Sequence, residues 1–529
     1  MQAKEDYIPE IEVSRSRATE ADMPWIDLAT TVIPPEVINQ IRGEDARRFK
    51  VIPVGLGETG LIVAIGDPFD IDTIDSLTFV LRRELELVCA RPEKIQEALI
   101  KYYGTADEAS DVLVQKIGHE VDLGLEIIDD GDLSATNPGD APIIRLVSML
   151  LVEAHRLRAS DVHLEPLDKK FRVRFRIDGV LQEMQAPPKR LQSAIVSRLK
   201  IMTGSMSIAE KRLPQDGRIR VRIARKPIDL RVSTIPTNHG ESVVMRVLDK
   251  TSLLLGLPEL GFFRDDQETF ERLLGSPDGT LLVTGPTGSG KTSTLYSCLN
   301  FINKPDRKII TVEEPIEYQI TGINQVQVNV DAGMTFPVAL RSILRQAPNI
   351  IMIGEIRDLE TATIATNASL TGHLVFSTLH TNDAPSAVAR LIDLGVQPFL
   401  LASSLRAIMA QRLVRRLCLH CKKRGKLDET EWRALNLEPS SLHEAQVMKP
   451  VGCEQCRHTG YKGRMGIFEI FTIDDDVRHM INRRRSTLLL RQRARELGMR
   501  TLREDGVRKV LAGLTSAEEV LSVTLGDVN

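Results

Sequence analysis

Two patterns of apolar and polar residues follow one another along the chain, and they predict two kinds of β-sheet. In FRVRFRI (171–177) and GRIRVRI (217–223) apolar residues alternate strictly with arginines, as in half-buried strands. From residue 279 onward, GTLLVTG, KIITVEE, NIIMIGE and HLVFSTLH are nearly continuous apolar runs separated by helical patterns. Such runs are typical of strands buried on both faces of a parallel sheet. The chain is therefore predicted to be α/β, with an arginine-lined α+β domain before a parallel core.

A small α/β module is predicted ahead of these domains. Strand patterns occur at FKVIPV, GLIVAIGD and ELELVCA, and helical patterns at IDTIDSLTFVLRR and EKIQEALIKYY. The stretch that follows carries ten Asp/Glu and one Lys, which predicts a linker because like charges oppose packing. The predicted segments are an extension (1–26), the module (27–104), the acidic linker (105–141), the arginine-rich PAS-like domain (142–250), the parallel core (251–410), a cysteine-bearing element (411–465) and a helical C-terminal region (466–529).

The eight residues GPTGSGKT carry the most specific chemical signal. They follow LLVT and fit G-x-x-x-x-G-K-[ST], a loop whose backbone N–H groups cradle nucleotide phosphates. A strand before the loop and a helix after it provide the context that phosphate binding needs. In this pattern Lys291 reaches the β- and γ-phosphates and the Thr292 hydroxyl ligates Mg²⁺. The predicted ATP-binding residues are Gly285, Pro286, Thr287, Gly288, Ser289, Gly290, Lys291 and Thr292.

Carboxylates and histidines follow other apolar runs of the same predicted sheet. Glu355 ends IIMIGE, where it can polarise an attacking water or hold a water on Mg²⁺. The stretch TVEEPIEY adds Glu313, Glu314 and Glu317. These three acids would repel a triphosphate, so they predict either a Mg²⁺/water site or a subunit contact. His373 and His380 bracket a strand, which favours γ-phosphate sensing or communication between subunits over packed or surface positions.

Four cysteines form two CxxC pairs, at Cys418, Cys421, Cys453 and Cys456. Paired CxxC turns converge readily on tetrahedral Zn²⁺, and four thiolates make a closed structural site. Redox chemistry and unligated thiols are the alternatives. The stretch QRLVRRLCLHCKKRGK around the first pair has seven Lys/Arg and no acid. It predicts either an ordinary solvated surface or a contact with anionic lipid or an acidic partner.

Composition narrows the classes of function. A length of 529 residues predicts about two to four domains. A net charge of −3 and 4% aromatic residues disfavour a nucleic-acid binder. The sequence has no signal-peptide pattern and no apolar run near the roughly 18–20 residues that span a bilayer. Six cysteines are too few for a disulfide scaffold, so we expect a reduced, cytoplasmic protein.

Several motifs resemble those of one protein family, both in their residues and in their order along the chain. ASDVHLEP, AEKRLPQDGR, GPTGSGKT, TVEEPIEY, LRQAPNIIMIGEIRD and TGHLVFSTLHTNDA are similar to motifs of the ATPases of type II secretion and type IV pilus assembly (general secretion pathway protein E and PilB). The resemblance runs from about Ile143 to the C-terminus, with a looser one in the N-terminal module. It implies a RecA-like core in a homohexamer, with ATP between the arginine-lined domain and that core. The tetracysteine element disfavours a pilus retraction ATPase.

The resemblance also assigns roles to individual residues. It makes Glu355 the catalytic carboxylate, Glu314 part of an acidic box, and His373 and His380 a histidine box. The charge-neutralising arginines are Arg231, Arg246, Arg341 and Arg345. The chain departs from the family where EEP replaces E-D-P and where RQAPN replaces R-Q-D-P-D. The loss of acids at Ala347 and Asn349 predicts altered metal geometry or slower turnover.

The expected function is an ATP-hydrolysing motor that couples turnover to domain rotation. Implied partners are an inner-membrane platform protein, the cytoplasmic domain of a membrane recruiting protein and an anionic lipid surface, which places the chain peripherally on the inner membrane. One alternative is a nucleotide-binding scaffold with vestigial hydrolysis. Another is a DNA-transfer motor, which fits the core but neither the cysteines nor the charge balance. Secretion and pilus assembly use the same core, so the sequence leaves the machine open.

Overall fold

The computed structural model describes residues 10–28, 31, 33–57, 60–70, 74, 77–78, 81, 84–103, 125–127, 141–249, 256–437 and 445–525. The chain divides into two compact units, residues 1–177 with 181–247 and residues 178–180 with 248–529. Most of the predicted helix IDTIDSLTFVLRR and most of the predicted acidic linker lie outside the described residues. The finer division into modules stays a prediction.

The N-terminal part of the first unit is a small α/β layer. Its elements are α1 (Glu10–Glu20), α2 (Pro35–Ile38), α3 (Gly43–Phe49), β1 (Ile52–Leu56), β2 (Leu61–Ile65), β3 (Leu85–Cys89) and α4 (Pro92–Tyr103). β1 runs antiparallel to β2, and β2 runs parallel to β3. The apolar side chains of Ile52, Val63 and Ile95 are buried in a shared core, which explains why apolar positions predicted these elements.

The second half of this unit is a seven-stranded sheet in the order β4-β8-β9-β10-β5-β6-β7. Its elements are β4 (Leu125–Ile127), α5 (Ala141–Arg156), β5 (Ala159–Pro166), β6 (Phe171–Ile177), β7 (Val180–Glu183), α6 (Gln192–Thr203), β8 (Gln215–Ile223), β9 (Lys226–Thr237) and β10 (Gly240–Asp249). The apolar residues of β6 and β8 pack with those of the two helices in one core. β4 pairs with β8, so three residues of the predicted linker extend the sheet.

The arginine-lined face of this sheet is largely a ladder of ion pairs. β5 and β6 are antiparallel, with Glu165 opposite Arg172 and Asp161 opposite Arg176. Glu165 binds Arg172 at 2.7 Å and Arg174 at 2.5 Å. Burial alone would raise the pKa of Glu165, but the hydrogen bonds from the two arginines prevail and lower it. Alternation therefore places Arg172 and Arg176 opposite acids of the neighbouring strand, while Arg174 reaches Glu165 diagonally from its position opposite His163.

The second unit contains a sheet in the order β13-β12-β14-β15-β11-β16-β19. Its strands are β11 (Gly279–Thr284), β12 (Ile309–Glu313), β13 (Asn324–Gln327), β14 (Ile350–Ile353), β15 (Leu374–Leu379), β16 (Leu405–Leu417) and β19 (Tyr461–Thr472). The pairs from β13 to β16 are parallel, and β19 is antiparallel to β16. A short ribbon pairs β17 (Lys423–Arg424) with β18 (Met448–Lys449).

Helices cover both faces of this sheet, which explains its continuous apolar strands. The α-helices described in this unit are α7 (Arg264–Leu274), α8 (Lys291–Ile302), α9 (Phe336–Ile343), α10 (Leu359–Leu370), α11 (Ala384–Asp393), α12 (Pro398–Ser404), α13 (Glu429–Ala434), α14 (Asp475–Asn482), α15 (Thr487–Glu496), α16 (Leu502–Leu511) and α17 (Ala517–Val523). Leu282 and Ile351 face one core, whereas Leu281 and Ile350 face the other. The predicted α/β fold is confirmed. Within the described residues, no helix is both long and apolar enough to cross a membrane.

Candidate functional site

The carboxyl ends of four parallel strands meet at one edge of the second unit's sheet. The phosphate loop follows β11, the acidic stretch follows β12, Glu355 follows β14 and His380 follows β15. Hydroxyl groups tie these ends together: Thr284 Oγ1 lies 2.7 Å from Thr381 Oγ1, and Thr378 Oγ1 donates to Gly354 O at 2.7 Å. The edge is where ligands bind in open parallel sheets.

Glycines shape the phosphate loop. Gly288 and Gly290 have φ values of 81° and 89°, in the left-handed region that favours glycine. A Cβ on Gly290 would lie 2.9 Å from Gln411 Nε2, and one on Gly285 would lie 2.6 Å from Gln411 O. The Gln411 side chain is buried and accepts from Thr294 Oγ1 at 2.8 Å. The loop is therefore pressed against β16, which fixes its curvature at the start of α8.

The first residues of α8 complete the loop. The ammonium of Lys291 donates to Gly285 O at 2.8 Å and to Pro286 O at 3.0 Å. Burial lowers the pKa of Lys291 to about 8, against the opposing effect of the nearby Glu355 carboxylate. Thr292 is exposed at the helix N-terminus, where its hydroxyl can reach a metal ion. The loop therefore presents a cation and backbone N–H groups to an anion.

Glu355 lies in a cluster of charges beside the phosphate loop. One of its oxygens binds Arg357, and the other lies 3.1 Å from His380 Nε2. Arg357 also binds Glu314 Oε2 at 3.1 Å. Burial alone would raise the pKa of Glu355, but the hydrogen bonds from Arg357 and His380 prevail and lower it. The cluster therefore holds an ionised carboxylate that can accept a hydrogen bond from a water.

Arg357 is the member of this cluster that sequence reasoning missed. It stands two residues after Glu355 in GEIRD, where a lone arginine is most simply interpreted as a surface residue. The structure shows that its guanidinium bridges Glu355 and Glu314, which are 41 positions apart. The signal available in the sequence was the charge of the acidic stretch, because clustered carboxylates are stabilised by a cation beside them.

His373 lies away from this cluster. It precedes β15, and its carbonyl accepts from Gly279 N at 3.1 Å, at the start of β11. Its Nδ1 lies 2.9 Å from Ala368 O. The carboxyl ends of β11 and β15 carry the phosphate loop and His380, so His373 marks the opposite edge of the sheet. A role for His373 between subunits stays a prediction.

Ala347 and Asn349 also lie at the opposite edge. Both precede β14, whereas Glu355 follows it. Asn349 Oδ1 accepts from Lys308 N at 2.8 Å, and Ala347 has a positive φ of 48° in a turn. Within the chain, these two departures from the family pattern are thus separated from Glu355 by the length of a strand. Their effect on metal geometry stays a prediction.

The four predicted arginines are spread over both units. Arg341 pairs with Glu360 and is 55% exposed, and Arg345 Nη1 donates to Arg341 O at 2.9 Å. In the first unit, Arg246 lies 3.3 Å from Asp161 Oδ1, and Arg231 lies on β9 opposite Arg218. None of these contacts joins them to the Glu355 cluster among the described residues. Their role at the γ-phosphate stays a prediction.

The four cysteines converge as predicted. Their sulfur atoms all lie within 4.8 Å of one another, with Cys418–Cys453 at 3.9 Å, Cys421–Cys456 at 3.8 Å and Cys453–Cys456 at 3.7 Å. Four sulfurs on zinc at about 2.3 Å would be about 3.8 Å apart. The separations are too long for disulfides. Burial opposes ionisation of Cys456, but N–H donors of Cys453 and Gly460 prevail and lower its pKa to about 6. The cluster could therefore hold zinc.

Exposed apolar and basic residues surround this cysteine cluster. Leu419 is 74% exposed and Val451 is 53% exposed. They lie on the two cysteine turns, which are joined by a hydrogen bond from Gly452 N to Cys421 Sγ at 3.3 Å. Exposed cations flank the first turn on both sides: Arg416 precedes it on β16, and Lys423, Arg424 and Lys426 follow it. We call these six residues the knuckle surface.

Comparisons with known proteins identify the family of the chain. The family described as Type II/IV secretion system protein matches residues 136–522, and a MshEN domain matches residues 21–109. The type IV pilus assembly ATPase PilB of Myxococcus xanthus is 45% identical over 507 residues, covering 96% of this chain and 89% of that protein. The type II secretion system protein HxcR of Pseudomonas aeruginosa is 51% identical over 442 residues, covering 83% and 89%.

A solved structure supports the fold. The Legionella pneumophila ATPase DotB aligns with a TM-score of 0.53 and 19% identity, covering 72% of this chain and 95% of that one. The family match spans most of the chain and includes the phosphate loop, Glu355 and the cysteines. The chain is therefore an ATPase and belongs to the type II/IV secretion ATPase family.

Proposed function

We propose that this ATPase is the motor of a type II secretion or type IV pilus assembly machine. The observation that carries the proposal is the ionised Glu355, held by Arg357 and His380 at the edge that also bears the phosphate loop. A carboxylate at this position can orient a water for attack on a γ-phosphate. The relatives PilB and HxcR are named for these two machines, and their identity to this chain supports the same role.

The chain's own residues define the reaction steps. Lys291 would bind the β- and γ-phosphates, and backbone N–H groups of the loop would hold the remaining oxygens. Thr292 would hold a Mg²⁺ ion, which neutralises phosphate charge when bound. Glu355 would orient the water and accept its proton as the bond from the γ-phosphorus to the bridging oxygen breaks. The products would be ADP and inorganic phosphate.

The proposal extends this reaction to movement. Arg231 and Arg246 would neutralise the γ-phosphate only when the first unit closes over the nucleotide in a homohexameric ring, with Arg341 and Arg345 as further cations. Turnover would then be coupled to domain rotation, because a cation supplied by a moving domain makes closure a condition of catalysis. The cysteine cluster would bind Zn²⁺ as a structural ion.

The rotation would be delivered to membrane partners at the cytoplasmic face of the inner membrane. Those partners are an inner-membrane platform protein and the cytoplasmic domain of a recruiting protein. The knuckle surface favours an additional contact with anionic lipid, since it combines exposed apolar side chains with cations. Binding to vesicles with and without anionic lipid, compared between wild type and a Lys423→Glu/Arg424→Glu variant, tests that contact. Wild-type protein that binds neutral and anionic vesicles equally well would contradict it.

Mg²⁺-dependent phosphate release by the oligomeric, zinc-loaded protein tests the motor. Glu355→Gln should abolish turnover while leaving nucleotide binding and oligomer size unchanged, because only the carboxylate that orients the water is altered. Glu268→Gln is the matched control, since Glu268 is an exposed carboxylate on α7 that pairs with Arg264. It should hydrolyse ATP like the wild type.

Three outcomes separate the interpretations. Turnover that collapses in Glu355→Gln but not in Glu268→Gln supports a motor. Wild-type protein that binds ATP and assembles, yet releases no phosphate even with anionic vesicles, would instead support a scaffold. Tight, salt-sensitive DNA binding would support a DNA-transfer motor.

A further inference from the structure

Glu313 is a buried carboxylate directly before Glu314, and the site described above does not use it. It ends β12 and is 3% exposed. Thr311 Oγ1 donates to Glu313 Oε1 at 2.6 Å, and Gln325 Nε2 donates to the same oxygen at 3.1 Å. Its other oxygen accepts from the Tyr296 hydroxyl. The network therefore joins β12, β13 and α8 through one side chain.

Tyr296 brings the phosphate-loop helix into this network. It lies five positions after Lys291 on α8 and is 1% exposed. Its hydroxyl also accepts from Glu317 N at 3.4 Å. Tyr296 thus contacts the acidic stretch on both sides of Glu314, once through Glu313 and once through the backbone of Glu317. A shift of α8 would break these two hydrogen bonds unless the segment that carries Glu314 moved with the helix.

The burial and hydrogen bonding of Glu313 indicate that it fixes the direction of the chain that follows it. Burying a carboxylate costs free energy unless hydrogen bonds or a cation offset the lost hydration. The donors to Glu313 in the described structure are the neutral groups of Tyr296, Thr311 and Gln325. Packing alone would be served better by an apolar side chain. A fully hydrogen-bonded buried acid instead fixes the direction of the chain that leaves it, and that chain is Glu314.

We infer that Tyr296 and Glu313 are positioning residues that couple the phosphate-loop helix to Glu314. Glu314 pairs with Arg357, and Arg357 pairs with Glu355. The position of the loop helix is thereby relayed through side-chain contacts to the carboxylate that orients the water. This inference rests on the proposed function, because it presumes that the site hydrolyses ATP.

Tyr296→Phe tests the relay by removing one hydroxyl without changing the ring. The expected result is a fall in kcat of about 10- to 100-fold, because a hydrogen bond to a charged group is lost. The KM for ATP should stay within about twofold, since no group that contacts the nucleotide changes. Tyr461→Phe is the matched control: Tyr461 is also buried, and its hydroxyl lies 2.8 Å from Ser516 Oγ. It should lose similar stability and keep its kcat.

A double-mutant cycle separates relay from general destabilisation. If Tyr296 acts through Glu314, the effects of Tyr296→Phe and Glu314→Gln on kcat will not multiply, whereas those of Tyr461→Phe and Glu314→Gln will. An active wild type whose Tyr296→Phe variant has the kcat of Tyr461→Phe would overturn the inference alone. So would multiplicative effects of Tyr296→Phe and Glu314→Gln. A wild type that releases no phosphate would overturn the proposed function and this inference with it.

Discussion

Replacing Arg357 by Gln removes the guanidinium that joins Glu355 to Glu314. The change leaves the phosphate loop intact and alters no residue that is predicted to bind the nucleotide. It therefore separates the orientation of Glu355, the proposed catalytic carboxylate, from nucleotide binding. We expect a fall in kcat that is much larger than the loss of stability.

The loss of stability and the fall in kcat are expected to differ, because Arg357 is exposed and Glu355 is not. Arg357 is 62% exposed, so each of its ion pairs contributes about 0.2–1 kcal/mol to folding. The melting temperature should fall by less than about 4 °C. Glu355 is only 18% exposed, and for kcat its orientation matters rather than its contribution to folding. A displacement of about 1 Å in a group that positions the reacting water lowers kcat by about 100-fold.

Steady-state phosphate release and thermal melts measure both quantities. The pH dependence adds an independent check: without Arg357 the pKa of Glu355 rises, because burial is then less strongly opposed. The acid limb of kcat/KM should therefore move to higher pH. Arg264→Gln is the control, since Arg264 is an exposed arginine that pairs with Glu268 at 2.8 Å. An Arg357→Gln variant with wild-type kcat and an unmoved acid limb would refute the assignment.

Three further predictions concern other parts of the chain. Metal analysis should find one zinc per chain. A chelator or the Cys453→Ser substitution should lower the melting temperature, because zinc binding stabilises the folded state. Zinc-free protein with an unchanged melting temperature would contradict this. His380→Gln should reduce kcat more than His373→Gln, because only His380 contacts Glu355; equal losses would mean that His373 acts on the site by another route. Partial burial would raise the pKa values of Glu165 and Glu504, but hydrogen bonds from arginines prevail and lower both. Their stabilisation is therefore present above about pH 4.5 and lost as pH falls through the lowered values. Urea midpoints that stay constant from about pH 7 to pH 3 would contradict it.

The sequence predicted the elements whose signals are local. Continuous apolar runs identified β11, β12, β14 and β15, because a strand covered on both faces must be apolar throughout. The glycine and lysine pattern located the phosphate loop, since a backbone that wraps a phosphate needs left-handed positions and a cation in fixed order. The two CxxC pairs predicted the cysteine cluster, because each pair turns two thiolates toward one point.

Other features depended on which segments meet in space. The pairing of Arg357 with Glu314, the burial of Glu313 under Tyr296 and the separation of His373 from His380 all follow from the order and direction of parallel strands. Spacing along the chain does not encode that order, because the helices between strands can place a strand at several positions in a sheet. The sequence by itself thus determined the nucleotide-binding fold and the chemistry available at one edge. Only the tertiary structure decided which charged side chains share that edge and which lie a strand's length away.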